Sequence, residues 1–355
     1  MAATIETAPE QPCLETRPRI NGEFEGKNLL SIDQFAREDV ETVLELAGSM
    51  EAAREAFRAD RTNKIPQILS GFVLKAVMFE DSSRTSDSYM SAAAYLGAIP
   101  IQPNIATSSK NKGESDIETA FCFAENADGL LVRHKEAGFM DALVQRIDTP
   151  FTSGGNPGDH VTQTLKDFYT MQKLYGQIDG SHVVLAGYMA KYRASISLLK
   201  GLVLFNDIDV TIVAPESGHM PAEVIEQARQ MGVRVHEATD LRPLLKQPGF
   251  FYIGRPPLEY AETAREKEAI LAEYEEIGCR ISHETMKSAH RQAIIAHPLP
   301  HNGEISDDFY TDPRAIYEQQ EKNGVPVHMA IQALQFNQSE LQRKNPFLSA
   351  TARLK

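Results

Sequence analysis

The chain has 355 residues, of which 42% are hydrophobic and 24% are charged, a composition close to that of an average globular protein. This length corresponds to two or three domains, and it allows a large core without support from disulfides or metals. The formal net charge of −13 opposes non-specific binding to nucleic acid or to an anionic lipid surface. Composition therefore excludes a disordered chain, a collagen-like repeat and a disulfide scaffold as descriptions of the whole chain.

The cysteines and the apolar segments indicate a cytoplasmic location. Cys13, Cys122 and Cys279 have no C-x-x-C spacing, which suits a reducing compartment and argues against a disulfide framework or a cysteine zinc site. The first residues lack the cationic start and the apolar core of a secretory signal. The longest apolar run, Ser197–Phe205, falls far short of the ~20 residues that span a bilayer. We therefore expect neither a membrane partner nor a nucleic-acid partner.

The predicted elements of the first half alternate between strand and helix. Residues 1–27 are rich in proline, glutamate and threonine and predict a mobile tail. Apolar residues at helical spacing then predict a helix that Asp39 would cap. The elements that follow are a buried strand at Phe72–Phe79, a helix at Ser86–Leu96 that ends at Gly97, and a strand at Leu130–Val132. This order is typical of a parallel α/β sheet.

The second half repeats this order of elements. Strands are predicted at His182–Ala186, Val210–Ala214, Val233–His236, Phe251–Ile253 and Ala293–Ala296, and helices at Thr162–Tyr175, Ala194–Leu204 and Pro221–Met231. Right-handed crossovers place the carboxyl ends of such strands on one edge of the sheet, where α/β folds bind ligands. The sequence thus predicts an α/β protein with two doubly wound parallel-sheet domains that face each other across an active-site cleft. We expect these domains at 28–165 and 166–325, with a C-terminal helix at 326–355 returning to the first domain.

Polar residues follow the strands of the first half and suggest an anion site. Ser82-Ser83-Arg84-Thr85 lies where a strand gives way to a helix, so that free amides, hydroxyls and a guanidinium would cradle a phosphate. The alternative is an ordinary helix cap, because hydroxyl-rich caps are common. Arg133 and His134 end the next strand, where binding crevices form. The segment 108–114 is a polar loop with two lysines, and such loops are usually solvated surface.

The second half offers groups for a polar ligand. His160 can donate to a carbonyl oxygen and Gln163 can accept from an NH₂ group, whereas Arg193 and Arg255 suit carboxylates. In His297-Pro298-Leu299-Pro300 the prolines leave carbonyl groups without competing amides. We expect no metal, because these prolines prevent a helix that would bring together the two histidines of the segment 297–301. We also expect no cofactor, because the chain has neither Gly-x-Gly-x-x-Gly nor a Gly-Lys-Ser/Thr loop.

The order of these motifs resembles the aspartate/ornithine carbamoyltransferase family over residues 28–334. The motifs that carry the resemblance are Ser82-Ser83-Arg84-Thr85, Lys112-Gly113-Glu114, Val132-Arg133-His134, His160-Val161-Thr162-Gln163, Arg193, Arg255 and His297-Pro298-Leu299-Pro300. The last motif looks like the aspartate branch, because the ornithine branch typically has a cysteine in place of the first proline. The resemblance implies an enzyme that transfers the carbamoyl group of carbamoyl phosphate to L-aspartate in pyrimidine biosynthesis.

The resemblance also implies which residues bind the carbamoyl donor. The segment from Ser82 to Thr85, together with Arg133, would hold the phosphate, so that the first domain is the carbamoyl-phosphate-binding domain. Thr85, Arg133 and His160 would polarise the carbonyl group, and with Arg84 they would be the catalytic residues. The groups that hold the carbamoyl NH₂ would be Gln163 and the carbonyls of Pro298 and Leu299.

The acceptor would be bound by the second domain and by a neighbouring subunit. Arg193 and Arg255 would hold the carboxylates of the amino acid. Ser108 and Lys112 match a loop that, in the family, reaches into the site of the next subunit. The resemblance therefore implies a homotrimer with shared sites, whereas further assembly of trimers and the presence of regulatory chains stay open.

The sequence departs from the family pattern, mainly in the acceptor half. Pro257 stands where the aspartate branch has a glutamine that helps to bind the acceptor. Further departures are Tyr188, His301 and His328, and also Ser86 and Met90, which replace an arginine and a glutamate one helical turn apart. Two alternatives to the aspartate enzyme therefore remain: a carbamoyltransferase for another amino-acid or amine acceptor, and a non-catalytic structural homologue in an assembly.

Overall fold

The structure of the chain, a computed structural model, describes residues 17–190 and 192–343. Residues 1–16 of the predicted tail and 344–355 of the predicted C-terminal helix lie outside the described residues. The described chain forms two compact units. The first comprises the residues up to Pro157 and those from His328 onwards, and the second comprises Gly158–Val327.

The first unit is built on a four-stranded parallel sheet. Its strands are β1 (Val73–Met78), β2 (Ile99–Ile101), β3 (Gly129–Arg133) and β4 (Phe151–Ser153), in the order β2-β1-β3-β4. Its helices are α1 (Arg37–Ala59), α2 (Ser83–Tyr95), α3 (Asp116–Ala124) and α4 (Phe139–Val144). Apolar residues of β1, β3 and β4 form one buried core with α3 and α4. Because Met78 pairs with Arg133 in the sheet, the ends of β1 and β3 are neighbours.

The second unit is built on a five-stranded parallel sheet. Its strands are β5 (His182–Ala186), β6 (Asp209–Val213), β7 (Arg234–Ala238), β8 (Gly249–Ile253) and β9 (Ala293–Ala296), in the order β7-β6-β5-β8-β9. Its helices are α5 (Val161–Tyr175), α6 (Arg193–Leu202), α7 (Ala222–Gln230), α8 (Ala264–Glu276) and α9 (Tyr317–Lys322). The chain leaves β5 toward β6 on one side and later adds β8 on the other, so the order of strands reverses beside β5. Ligands bind at such a point in open α/β sheets.

The last helix, α10 (Gly324–Arg343), passes from the second unit into the first at His328. Within the first unit its amide side chains bind the early part of the chain, since Gln338 accepts from the Phe24 amide at 2.6 Å and Gln335 donates to the Lys27 carbonyl at 2.8 Å. No helix of residues 17–190 and 192–343 is long and apolar enough to cross a membrane.

Several predicted boundaries need correction. Residues 17–27 are not a mobile tail, because Ile20 and Phe24 are fully buried in the first unit. Asp39 does not cap α1. It lies three residues after the capping position, Ala36, and its carboxylate accepts from the amides of Ala36 and Gly22, both at 2.7 Å. Helix α2 begins three residues before the predicted Ser86. The second unit begins at Gly158 rather than at 166, because α5 packs with that unit.

Candidate active site

The start of α2 in the first unit forms a cradle of backbone amides. The cap residue Ser82 makes no side-chain hydrogen bond to the helix, and Ser83, Arg84 and Thr85 form the first turn. The first amides of a helix have no partner within it, and the helix dipole makes this end positive. Arg84 and Thr85 are half-buried and Ser83 is exposed. The cradle, which we define as 82–85, is thus suited to an oxyanion such as phosphate.

Arg133 joins the cradle from the end of β3. Its Nη1 donates to Ser82 Oγ at 3.3 Å and to the Gly154 carbonyl at 3.4 Å. Its Nε and Nη2 each lie 3.4 Å from an oxygen of Glu80, a residue that sequence reasoning did not single out. The Glu80 carboxylate lies two residues after the end of β1 and fixes the guanidinium beside the cradle, where charge-assisted hydrogen bonds to a phosphate are strong.

The two altered positions of α2 differ in their surroundings. Ser86 is buried, and its hydroxyl donates to the carbonyl of Ser82 at 2.7 Å and to that of Ser83 at 3.1 Å. Met90, one turn later, is half-buried. The side chain at 86 thus binds the backbone of the cradle itself. Because Ser86 and Met90 are both uncharged, replacement of the arginine and the glutamate of the family leaves no buried charge without a partner.

Among the described residues, the loop that contains Ser108 and Lys112 makes no hydrogen bond to the cradle. Ser108 caps a short turn by accepting from the Lys110 amide at 3.3 Å, and Lys110 pairs with Asp116 at 2.6 Å. Asp116 also lies 3.0 Å from the buried imidazole of His134, so the loop is anchored to the end of β3. Although burial opposes ionisation of Asp116, Lys110 and His134 lower the pKa of this carboxyl. Lys112 is exposed and has no hydrogen bond or ion pair within the described chain.

In the second unit, His160 caps α5 with its ring. Its Nδ1 accepts from the Gln163 amide at 3.4 Å, and Thr162 Oγ1 lies at the same distance. When the ring is neutral, an accepting Nδ1 places the proton on Nε2, which is then a donor suited to a carbonyl oxygen. His160 is 7% exposed, so its ring lies in a largely dry environment.

Gln163 is connected to the His297–Leu299 loop through two buried side chains. Its Nε2 donates to Asp167 Oδ1 at 2.8 Å, and Gln320 Nε2 donates to the same oxygen at 2.6 Å. Gln320 in turn accepts from the His297 amide at 3.0 Å. Burial raises the pKa of Asp167 to about 6 against the opposing effects of Lys166 and of its hydrogen-bond donors. Sequence reasoning missed Asp167 and Gln320, because their roles depend on contacts 153 residues apart.

The loop after β9 presents two carbonyl groups. Leu299 has a φ of 57°, which side chains with a Cβ rarely adopt, and its amide donates to His297 Nδ1 at 2.7 Å. His297 Nε2 lies 2.7 Å from Glu304 Oε1, and both side chains are fully buried. Burial lowers the pKa of His297, against the opposing effect of the Glu304 carboxylate. No residue of 17–190 or 192–343 donates to the carbonyls of Pro298 or Leu299, which leaves them available to a ligand NH₂ group.

The two predicted acceptor arginines follow neighbouring strands. Arg193 is the first residue of α6, and Arg255 follows β8, which pairs with β5 in the sheet. Arg255 makes a bidentate ion pair with Glu259, with N–O distances of 2.8 Å and 2.5 Å. Pro257, which lies between Arg255 and Glu259 in the sequence, is buried and offers no amide donor. The positive charge of Arg255 is thus balanced by Glu259, and no glutamine amide stands at position 257.

Tyrosines fix the backbone at this edge of the second sheet. The Tyr274 hydroxyl accepts from the Tyr188 amide at 2.8 Å and donates to the Gly254 carbonyl at 3.1 Å. The Tyr188 ring packs on Gly218, where a Cβ would come within 2.2 Å of it, and the Tyr192 ring packs on Gly254. Tyr188, which departs from the family, thus has a packing role.

The two altered histidines also make packing contacts. His301 makes edge contacts with the rings of His297 and Tyr317 in the second unit. His328 is buried against Tyr89 in the first unit. Among the residues that the structure describes, no three His, Cys, Asp or Glu side chains are grouped as a metal site requires.

Both halves of the chain match models of one protein family. The carbamoyl-P binding domain of aspartate/ornithine carbamoyltransferases matches residues 27–173, and the Asp/Orn binding domain matches residues 179–334. The chain belongs to the aspartate/ornithine carbamoyltransferase family. The family predicted from the motifs is therefore confirmed.

Relatives within the carbamoyltransferase family favour its aspartate branch. The aspartate carbamoyltransferase catalytic subunit of Thermococcus onnurineus is 31% identical over 316 residues, covering 88% of this chain and 97% of that protein. The same subunit of Dichelobacter nodosus is 33% identical over 333 residues, covering 88% and 90%. The predicted aspartate branch is thus confirmed.

A solved carbamoyltransferase structure matches the fold. Aspartate transcarbamoylase from Trypanosoma cruzi, in complex with carbamoyl phosphate, has a TM-score of 0.81 and 29% identity, covering 90% of this chain and 99% of that one. Together with the two parallel sheets observed here, this likeness confirms the predicted α/β class with two parallel-sheet domains.

Proposed function

We propose that the chain transfers the carbamoyl group of carbamoyl phosphate to the amino group of L-aspartate, giving N-carbamoyl-L-aspartate and phosphate. The observation that carries this proposal is the placement of Arg133 beside the cradle, 3.3 Å from Ser82 and fixed by Glu80. An amide cradle with a fixed guanidinium suits the phosphate of the donor. The relatives named aspartate carbamoyltransferase, and the Trypanosoma cruzi enzyme in complex with carbamoyl phosphate and aspartate, support the same substrates.

The chemistry needs stabilisation of charge rather than a protein nucleophile. The neutral amine of aspartate attacks the carbamoyl carbon, the carbonyl oxygen becomes an oxyanion, and the bond to the phosphate oxygen then breaks. Thr85, Arg133 and the Nε2 proton of His160 would stabilise the oxyanion, while the cradle and Arg84 would hold the departing phosphate. The phosphate can take the proton that the amine loses. Fixed donors supply this stabilisation without reorganisation during the reaction.

The proposed acceptor-binding residues suit a dicarboxylate, but they lack the glutamine that helps the aspartate branch to bind its acceptor. Arg193 and Arg255 would each pair with one carboxylate of aspartate. The buried Pro257 provides no side-chain donor, which favours, as the second candidate, a carbamoyltransferase for another amino acid or amine. The two candidates share the donor and the reaction and differ only in the acceptor.

A panel of acceptors tests the proposal directly. We expect phosphate release from carbamoyl phosphate to require an amino acid and to be fastest with L-aspartate, with N-carbamoyl-L-aspartate identified by mass spectrometry. A different amino acid or amine that reacts faster would establish the second candidate. Absence of release with every acceptor would contradict both and favour a non-catalytic structural homologue.

The active form that we propose is a cytoplasmic homotrimer in which neighbouring subunits share sites. Lys112 supports sharing, because it is exposed on a loop whose only anchored lysine is Lys110. A cation that has no partner among residues 17–190 and 192–343 of its own chain is suited to an anion bound by the next subunit. Ser108 lies at the start of the same turn. The acidic chain without C-x-x-C spacing supports the cytoplasm as its location.

Mixing two inactive variants should restore activity if sites are shared. Lys112→Ala keeps a complete cradle, and Arg84→Ala keeps the donated lysine, so a site built from one subunit of each kind carries neither lesion. With random exchange between closed trimers, about a quarter of the sites should be intact. The measurement is phosphate release before and after subunit exchange, with exchange verified by mass spectrometry.

A matched mixture provides the control. Arg84→Ala mixed with Arg133→Ala should remain inactive, because both lesions affect the cradle of the same chain and no mixed site escapes both. Recovery limited to the first mixture supports shared sites. No recovery in either mixture, with exchange verified, would contradict them.

A further inference from the structure

Asp167 is a fully buried carboxyl group that the proposed reaction does not use directly. It lies on α5 one turn after Gln163, and one of its oxygens accepts the hydrogen bonds of two primary amides, from Gln163 and Gln320. Burial of a charged group is costly unless hydrogen bonds compensate for it. The raised pKa of Asp167, about 6, reflects this cost. Because burial of this carboxyl group is costly, Asp167 is a candidate for a functional role.

The carboxylate determines which way the Gln163 amide points. An ionised carboxylate can only accept hydrogen bonds, so the NH₂ end of Gln163 must face Asp167 Oδ1, at 2.8 Å. The carbonyl oxygen of Gln163 is then the atom directed away from Asp167, and it can only accept. In the reverse orientation Gln163 would present an NH₂ group, which repels the NH₂ group of a carbamoyl donor.

The same oxygen of Asp167 also supports the loop after β9. It accepts from Gln320 Nε2 at 2.6 Å, so the other end of the Gln320 amide faces the His297 amide and accepts from it at 3.0 Å. His297 in turn accepts from the Leu299 amide. One buried carboxylate therefore orients both Gln163 and the loop that carries the carbonyls of Pro298 and Leu299.

We propose that Asp167 is a positioning residue that selects a carbamoyl phosphate over an acyl phosphate without an NH₂ group, by turning only acceptors toward that group. The inference rests on the proposed function, because it concerns how the same donor is recognised. Acetyl phosphate is the matched probe, since it has a methyl group where carbamoyl phosphate has NH₂. A site that presents acceptors alone gains hydrogen bonds with the first donor and leaves those acceptors unpaired with the second.

The experiment compares kcat/KM for carbamoyl phosphate and for acetyl phosphate, with the acceptor fixed at saturation. For Asp167→Ala we expect the ratio of the two values to fall at least tenfold, because the Gln163 amide and the loop lose the group that orients them. Asp167→Asn should largely retain the ratio, since its carbonyl oxygen can accept both amides in place of Oδ1. A purely electrostatic role would instead be lost in both variants.

Three further variants separate positioning from folding. Gln320→Leu removes only the support of the loop and should lower the ratio less than Asp167→Ala. It also provides the test if the alanine variant does not fold. In a Gln163→Leu background, Asp167→Ala should lower the ratio only by the share that the loop contributes, comparable to the effect of Gln320→Leu, because the orientation of Gln163 no longer matters. Thr170→Val is the matched control: Thr170 is buried on the same helix and accepts from Asn323 at 2.8 Å, so its loss should lower stability without changing the ratio.

The outcomes distinguish this inference from the proposed function. If the wild type releases no phosphate from carbamoyl phosphate with any acceptor, the proposed function fails, and the inference fails with it. If the wild type prefers carbamoyl phosphate and Asp167→Ala slows both donors equally, only the inference is overturned. Loss of the ratio in Asp167→Asn to the same extent as in Asp167→Ala would also overturn it, because orientation by an accepting oxygen would then be insufficient.

Discussion

Replacement of Arg84 by alanine is expected to lower kcat/KM for carbamoyl phosphate by about 10²–10³, the usual cost of losing one preorganised group that stabilises charge in the transition state. Arg84 is half-buried in the first turn of α2, and its proposed role is to add charge to the amides of the cradle. The departing phosphate gains negative charge as the bond to carbon breaks, so the loss should be largest in the chemical step. Initial rates of phosphate release at saturating acceptor measure it.

Two variants define what the Arg84 result means. Arg84→Lys keeps the charge but not the planar pair of donors, and should fall between wild type and alanine. Arg61→Ala removes an exposed arginine of the same unit that stacks on Phe57, and should leave the rate unchanged. An Arg84→Ala protein within about threefold of wild type would contradict the role assigned to the cradle.

Replacement of Arg255 by alanine is expected to raise the KM of the acceptor tens-fold or more, with little change in the KM of carbamoyl phosphate. A charge-assisted hydrogen bond contributes ~1.5–3 kcal/mol, and Arg255 would make such bonds to one carboxylate of the acceptor. The variant also leaves Glu259 without its partner, which adds repulsion toward the same carboxylate. Steady-state kinetics with each substrate varied in turn separates the two constants.

The matched control for Arg255 is a surface ion pair of the same unit. Arg280 pairs with Glu275 at 3.2 Å, and both side chains are more than half exposed, so Arg280→Ala should leave both Michaelis constants unchanged. If Arg255→Ala mainly raised the KM of carbamoyl phosphate, the division into donor-binding and acceptor-binding residues would be wrong. Pro257→Gln extends the test, because it restores an amide beside Arg255 and should move selectivity toward aspartate if another acceptor is native.

The sequence predicted well the elements that are continuous apolar runs, and poorly the three-residue strands and one exposed helix. Strands β5 and β9 begin and end at the predicted residues, because both are apolar runs followed directly by glycine or a polar residue. Strands β2 and β4 have three residues each, too few to show a period, and depend on pairing with β1 and β3. Helix α8 was missed because only Tyr274 of its thirteen residues is buried, so it lacks a recognisable apolar face.

The residues of the candidate site could likewise be predicted only in part from the sequence. The residues expected to touch the substrates could be named from the order of motifs, because strand ends, helix starts and charged groups are visible in the sequence. The residues that hold them in place could not be predicted in this way. Glu80 and Arg133 are 53 residues apart, and only the pairing of β1 with β3 brings them together. The bond between Asp167 and Gln320 likewise depends on the packing of α5 against α9, which no local pattern specifies.

We propose that the hydroxyl of Tyr274 links Arg255, the proposed acceptor-binding residue, to the surface helix α8. It connects the backbone just after β5 with the backbone just before Arg255, so the base of an acceptor arginine is held by a side chain from α8. Losing that hydroxyl would leave a partly buried amide and a buried carbonyl unpaired, at a cost of up to ~1–3 kcal/mol for each. Substitutions in α8 are therefore expected to change how the backbone before Arg255, the proposed acceptor-binding residue, is held, while Arg255 itself stays the same.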